Sequence, residues 1–251
     1  MPAAAQTFFE QPILNSPYRK PSRQWELDLQ GRPTDRILDT RRRAELISAI
    51  PAPKKRSRAE QAEMVYEAGH GLSTDVQESN PTPIINELRQ EIETWRSLPT
   101  PEQWRVSPVT ANLLRHWRAL QQDASRPIRP FFCQLEAVET AIWLAEVAPK
   151  AGGRGRRFLD WLSEANASAT TPGAPDLFRV ALKLATGAGK TTVMAMLIAW
   201  QAINIARSRN SKLLSRSFLR IAPGITIRDR LRVLLPNDPD MVRRINCDKH
   251  S

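Results

Sequence analysis

The segment Leu184-Ala185-Thr186-Gly187-Ala188-Gly189-Lys190-Thr191 places two glycines, a lysine and a hydroxyl where the phosphates of a nucleotide would need them. Glycine backbone allows N–H groups to converge on an anion at a helix N-terminus. The Lys190 ammonium has the reach for the outer phosphates, and the Thr191 hydroxyl is a magnesium ligand of the right hardness. Thr186 and Ala188 complete the turn, and Thr192 follows it. Where the common form of this pattern carries a first glycine, the chain has Leu184. The plainer alternative is a glycine turn that joins two elements and leaves a lysine in water.

Such a turn works where a strand gives way to a helix. Residues Phe178 to Ala185 (FRVALKLA) read as a buried strand, Thr192 to Ala206 as a long apolar helix, and Ser217 to Ala222 (SFLRIA) as a second strand. A strand, helix, strand unit predicts a right-handed crossover between parallel neighbours, with the turn at the carboxyl end of the first strand. The expected class is therefore α/β: a partial P-loop domain on a parallel sheet, preceded by a mainly helical, partly extended N-terminal region.

Upstream, residues 1–83 read as an extended leader and linker rich in proline and charge, with one short helix over Ile37 to Ile50 and a basic run at Lys54 to Arg58. Residues 84–125 form a helical region. Ile84, Ile85, Leu88, Ile92 and Trp95 share one face of a helix, and Leu113, Leu114, Trp117 and Leu120 share a face of the next. Residues 126–251 form the nucleotide-binding part. It opens on the proline- and aromatic-rich stretch before Gln134 and continues as a helix with Leu135, Val138, Ala141, Ile142 and Ala145 inward. Lys150 to Arg157 (KAGGRGRR) reads as a flexible basic loop, and Phe158 to Ala169 as a further helical turn.

Composition narrows the partners. With 41% hydrophobic residues among 251, the chain can bury a sizeable core. Its 37 basic and 26 acidic residues give a formal charge of +11, which favours an anionic partner such as nucleic acid, the plainer alternative being a soluble surface rich in arginine. Cys133 and Cys247 stand far apart without metal-ligand spacing, which fits a reduced, cytoplasmic protein. The N-terminus lacks the pattern of a secretory signal, and the longest apolar stretch falls short of the ~20 residues that span a bilayer, so no membrane partner is expected.

The order of motifs resembles the helicase-type restriction subunits of type III restriction systems, within the DEAD/DEAH superfamily-two helicases. Phe131 to Thr140 (FFCQLEAVET) is similar to the glutamine-bearing segment that precedes motif I, Lys183 to Thr191 to motif I, and Ala222 to Leu231 (APGITIRDRL) to motif Ia. Pro12 to Tyr18 and Ile84 to Arg89 are similar to the N-terminal region of such proteins. The resemblance implies an incomplete first RecA-like ATP-binding lobe, ATP and magnesium as cofactors, double-stranded DNA as partner, and a DNA methyltransferase subunit alongside. It gives Gln134 the adenine edge, Gly187, Gly189, Lys190 and Thr191 the phosphates and magnesium, Thr192 a second hydroxyl near the α-phosphate, and Thr226 and Arg228 the DNA backbone. Read without the family, Gln134 is equally a helix N-terminal glutamine facing water, Thr226 a helix cap and Arg228 a surface arginine.

No Asp-Glu pair of the kind that holds magnesium and orients water follows motif Ia, and no nuclease pattern is visible. The expectation is the N-terminal fragment of an ATP-dependent DNA translocase that binds nucleotide without turning it over. Two other readings stay open. One is a basic DNA-binding module without enzymatic activity, and the other a P-loop kinase or ATPase that takes its magnesium ligand from Asp229, Asp238 or Asp240.

Overall fold

The computed structural model describes residues 8–28, 30–44, 50–51, 78–79, 82–167, 179–208, 211, 213–221 and 231–234. The chain divides into two compact units, each drawn from separated stretches. The first comprises Met1–Gln11, Ser22–Arg105 and Ala141–Leu182, and the second Pro12–Pro21, Val106–Thr140 and Lys183–Ser251.

In the first unit, β1 (Gln24–Leu27) and β2 (Pro33–Leu38) pair antiparallel as a hairpin. Asp28 builds its turn. Asp28 Oδ1 accepts from the N–H groups of Gln30 (2.9 Å) and Arg32 (2.8 Å), and Gly31 takes the left-handed backbone, φ 76°, that the turn requires. A two-residue pairing joins β3 (Ile50–Pro51) to β4 (Glu78–Ser79). Helix α1 (Thr82–Arg96) carries Asn86, whose amide both accepts from Ala44 N–H (3.0 Å) and donates to Ala44 C=O (3.2 Å), pinning the irregular chain that leaves the hairpin. Ile92 and Trp95 are its buried residues, and the Trp95 indole donates to Trp104 C=O at 2.9 Å. The same unit holds a π-helical turn, Trp143–Val147, whose Trp143 ring meets Phe158 of α4 (Gly153–Ala167) edge-on at 5.7 Å. α1 and α4 carry opposite charges toward each other, Glu91 to Arg154 at 2.6 Å and Glu87 to Arg157 at 2.5 Å.

The second unit contains α2 (Pro108–Gln122), α3 (Phe132–Ile142, its residues through Thr140) and α5 (Lys190–Arg207). Ser107 caps α2 by accepting from Thr110 N–H at 3.0 Å, with Pro108 at the first helical position where its missing N–H costs nothing. α5 buries Val193, Met196, Trp200 and Asn204, spaced three and four apart along one stripe. Against α2 that stripe is polar at its far end. The Trp200 indole (3.1 Å) and the Asn204 amide (3.0 Å) both donate to Thr110 Oγ1, and Ser107 Oγ donates to Asn204 Oδ1 at 2.5 Å. α2 and α3 are tied by Arg118, which forms an ion pair at 2.8 Å with the buried Glu139.

The structure corrects the expected fold class. Among the described residues the sheets are two antiparallel pairs, with no parallel sheet and hence no RecA-like lobe. Residues 179–185 and 217–221, expected as strands, run without ladder partners. An apolar run is half of a strand at most, because its backbone groups need a neighbouring chain to pair with. Exposure follows: Leu219 is 88% and Ile221 85% exposed. The helix expected over Ile37 to Ile50 is likewise replaced, over its described residues, by the end of β2, irregular chain and the first residue of β3. The stretch expected as a flexible loop after Lys150 is helical from Gly153 onward. Gly155 serves close approach there, since a Cβ on it would lie 2.0 Å from Ala148 O.

That approach generates a test. Gly155→Ala is expected to destabilise the chain by about 1–3 kcal/mol through overpacking. Gly153→Ala, where a Cβ meets nothing within 4 Å, is expected to be neutral or stabilising. Equal urea midpoints for the two variants would contradict the packing described.

Candidate phosphate-binding site

The turn at Thr186 to Gly189 leads directly into α5, whose first residue is Lys190. Gly187 (φ 81°) and Gly189 (φ 72°) are both left-handed, a conformation that costs other L-residues roughly 1–2 kcal/mol. Ala188 N–H donates to Ala185 C=O at 3.2 Å, while Thr192 and Val193 N–H donate to Gly189 C=O at 2.9 and 3.4 Å. The N–H groups of Gly189, Lys190 and Thr191 have no partner in the chain among the described residues. These are the orphan donors of a helix start, and they lie at its positive end. The Lys190 ammonium folds back over the turn and donates to Ala185 C=O at 2.9 Å, a bond that a phosphate oxygen would compete for. Thr186 and Thr192 are exposed, and Ala188 and Thr191 half-buried. This donor set fits an anion, and Thr191 brings its hydroxyl to the same first turn.

Gln134 sits against this turn and is only 5% exposed. It is the third residue of α3, and its Oε1 accepts from Phe131 N–H (3.0 Å), which satisfies the helix start as in a capping box. Its Nε2 donates to Ala188 C=O at 2.9 Å. Gly189 makes room for the amide: a Cβ there would lie 2.2 Å from Gln134 Nε2. The support behind Phe131 is also defined. The Tyr18 ring lies 5.6 Å from that of Phe131, Phe132 N–H donates to Pro17 C=O at 2.8 Å, and the Arg129 guanidinium lies 3.9 Å above Tyr18.

The structure thus brings Gln134 together with Thr186 to Thr192. Thr226 and Arg228, the expected DNA contacts, lie outside the described residues, as do Asp229, Asp238 and Asp240. The resemblance puts Gln134 at an adenine edge and the plainer reading puts it in water; in the structure it is buried, with both ends of its amide on backbone. The contribution of Pro17 and Phe131 was not anticipated. The signal available for it was the glutamine three residues after Phe131, at the opening of a helix.

Cys133 adjoins the site and is exposed. Partial withdrawal from water pushes its thiol above the ordinary value, against the pull of the Cys133 and Gln134 N–H groups, with Glu136 adding to the rise. Among the described residues, no helix is long and apolar enough to cross a membrane. Compared with protein-family models, curated proteins and solved structures, the chain matches none.

Two outcomes are expected. Gly187→Ala meets open space and carries only the backbone cost, whereas Gly189→Ala adds a clash with Gln134. Gly189→Ala should therefore lower the unfolding free energy further, by at least about 1 kcal/mol, and equal losses in urea titrations would contradict the packing. In a Cys247→Ser background, iodoacetamide should alkylate Cys133 more slowly at neutral pH than it does a cysteine in a short peptide. The raised thiol leaves less thiolate, so the gap closes as pH climbs past it; a Cys133 faster than the peptide would contradict the shift.

Proposed function

We propose that this chain binds a nucleoside triphosphate with magnesium through Gly187 to Thr191 and serves as part of an ATP-dependent DNA translocase of the helicase-type restriction class. The observation that carries the binding is that the N–H groups of Gly189, Lys190 and Thr191 have no partner among the described residues, beside two left-handed glycines at the start of an 18-residue helix. Lys190 would exchange the Ala185 carbonyl for an outer phosphate oxygen, and the Thr191 hydroxyl would hold magnesium against the phosphates. The bound ion supplies charge neutralisation there. The formal charge of +11 supports DNA backbone contact, and the order of motifs supports the translocase class.

Calorimetric titration of the full chain with ATP and magnesium tests this. Saturable binding is expected, weakened about tenfold or more by Lys190→Ala, since a charge-assisted bond to phosphate is worth roughly 1.5–3 kcal/mol. An affinity indifferent to Lys190→Ala would defeat the proposal. If DNA binding falls steeply with salt yet ignores both ATP and Lys190→Ala, the non-enzymatic DNA-binding module takes its place. The charge balance already favours it as the second reading.

A further inference from the structure

We propose that Gln134 is a positioning residue of the phosphate turn, clamping the Ala188 carbonyl so that the N–H fan faces the triphosphate, and that it does not read the base. The inference rests on the proposed binding of a triphosphate at this turn. The Ala188 carbonyl and the Gly189 N–H belong to one trans peptide unit and so point in opposite directions. Holding that carbonyl at 2.9 Å from Gln134 Nε2 aims the Gly189 N–H away from Gln134. With the carbonyl released, the peptide between Ala188 and the left-handed Gly189 can rotate and present oxygen to the anion. Such a rotation replaces an attractive dipole with a repulsive one.

The chemistry of position 134 agrees. Its two partners have opposite polarity, a backbone N–H at Phe131 and a backbone C=O at Ala188. Only a side chain with an acceptor at one branch and a donor at the other satisfies both. Glutamate lacks the donor, and methionine lacks a strong form of either. The assignment of the amide orientation follows from the same pair, because flipping it would set donor against donor and acceptor against acceptor. Burial to 5% and the two bonds to Phe131 N–H and Ala188 C=O hold the amide away from a base while the turn keeps this form. The anchor is stiffened from behind by the Phe131–Tyr18 ring contact and the Pro17 carbonyl.

Inorganic triphosphate separates the two roles, because it carries phosphates and no base. Binding of magnesium triphosphate and of magnesium ATP is measured for the full wild-type chain, Gln134→Met and Lys190→Ala. The expected result is that Gln134→Met weakens both ligands by the same factor, about tenfold, as a half-buried carbonyl left without its donor costs roughly that much. Weakening of ATP alone would make Gln134 a base reader and overturn the inference. Retention of both affinities in Gln134→Met, with both lost in Lys190→Ala, would overturn it while sparing the proposed function. No triphosphate binding by the wild-type chain would sink both. A wild-type measurement stands beside the variant in case it folds poorly. The Gln134 side-chain NH2 resonances should shift alike with triphosphate and with ATP and stay still with adenosine, whereas a response to adenosine would contradict positioning.

Discussion

Thr110 Oγ1 receives two donors at once, the Trp200 indole and the Asn204 amide, in a buried region of the second unit. The position of the phosphate turn depends on this cluster. A buried amide without its partners costs about 1–3 kcal/mol, so α5 can slide past α2 only at that penalty or more. Asn204 lies 14 residues beyond Lys190, about 21 Å along the helix axis, and a rigid helix carries the register of one end to the other. At the near end Gln134 ties the turn to α3. Arg118 and Glu139 close the set by tying α3 to α2. Three helices are thus joined pairwise by directional contacts. The Arg118–Glu139 pair fixes geometry more than it adds stability, since burying the ions offsets much of their attraction.

Helical features of this fold were legible because helices satisfy their backbones locally. The stripes through Ile92 and Trp95, and through Leu114 and Trp117, are buried as their spacing predicts. Glycine and lysine types at Gly187 to Thr191 correctly marked a turn running into a helix. Strands failed for the converse reason. FRVALKLA and SFLRIA have the composition of strands, but composition carries no information about a partner, and among the described residues none lies beside them.

One error came from reading glycine as looseness. Gly155 is present because the chain at Ala148 passes too close for a Cβ, which is the opposite of flexibility. In the N-terminal region the Asp28 carboxylate and Gly31 close a hairpin turn, and the signal was in plain view as an aspartate three residues before a glycine. Gln134 shows a subtler limit. Its residue type pointed to amide recognition, and the structure shows amide recognition, with partners that are backbone groups 3 and 54 residues away. Sequence alone could supply the near partner through the capping pattern, whereas the far one exists only after α3 and α5 have packed.

The absence of a parallel sheet among the described residues changes what the phosphate chemistry would depend on. In this chain the turn is shaped by its own glycines, by the start of α5 and by Gln134, without a flanking strand ladder. The central claim is that these elements present a ready donor fan. A titration of the ¹⁵N-labelled chain with magnesium triphosphate, followed residue by residue at the amides, tests it most directly. Saturable shifts largest at Gly189, Lys190 and Thr191 are predicted. Shifts that bypass these three amides and spread instead over arginines elsewhere on the surface would contradict the account.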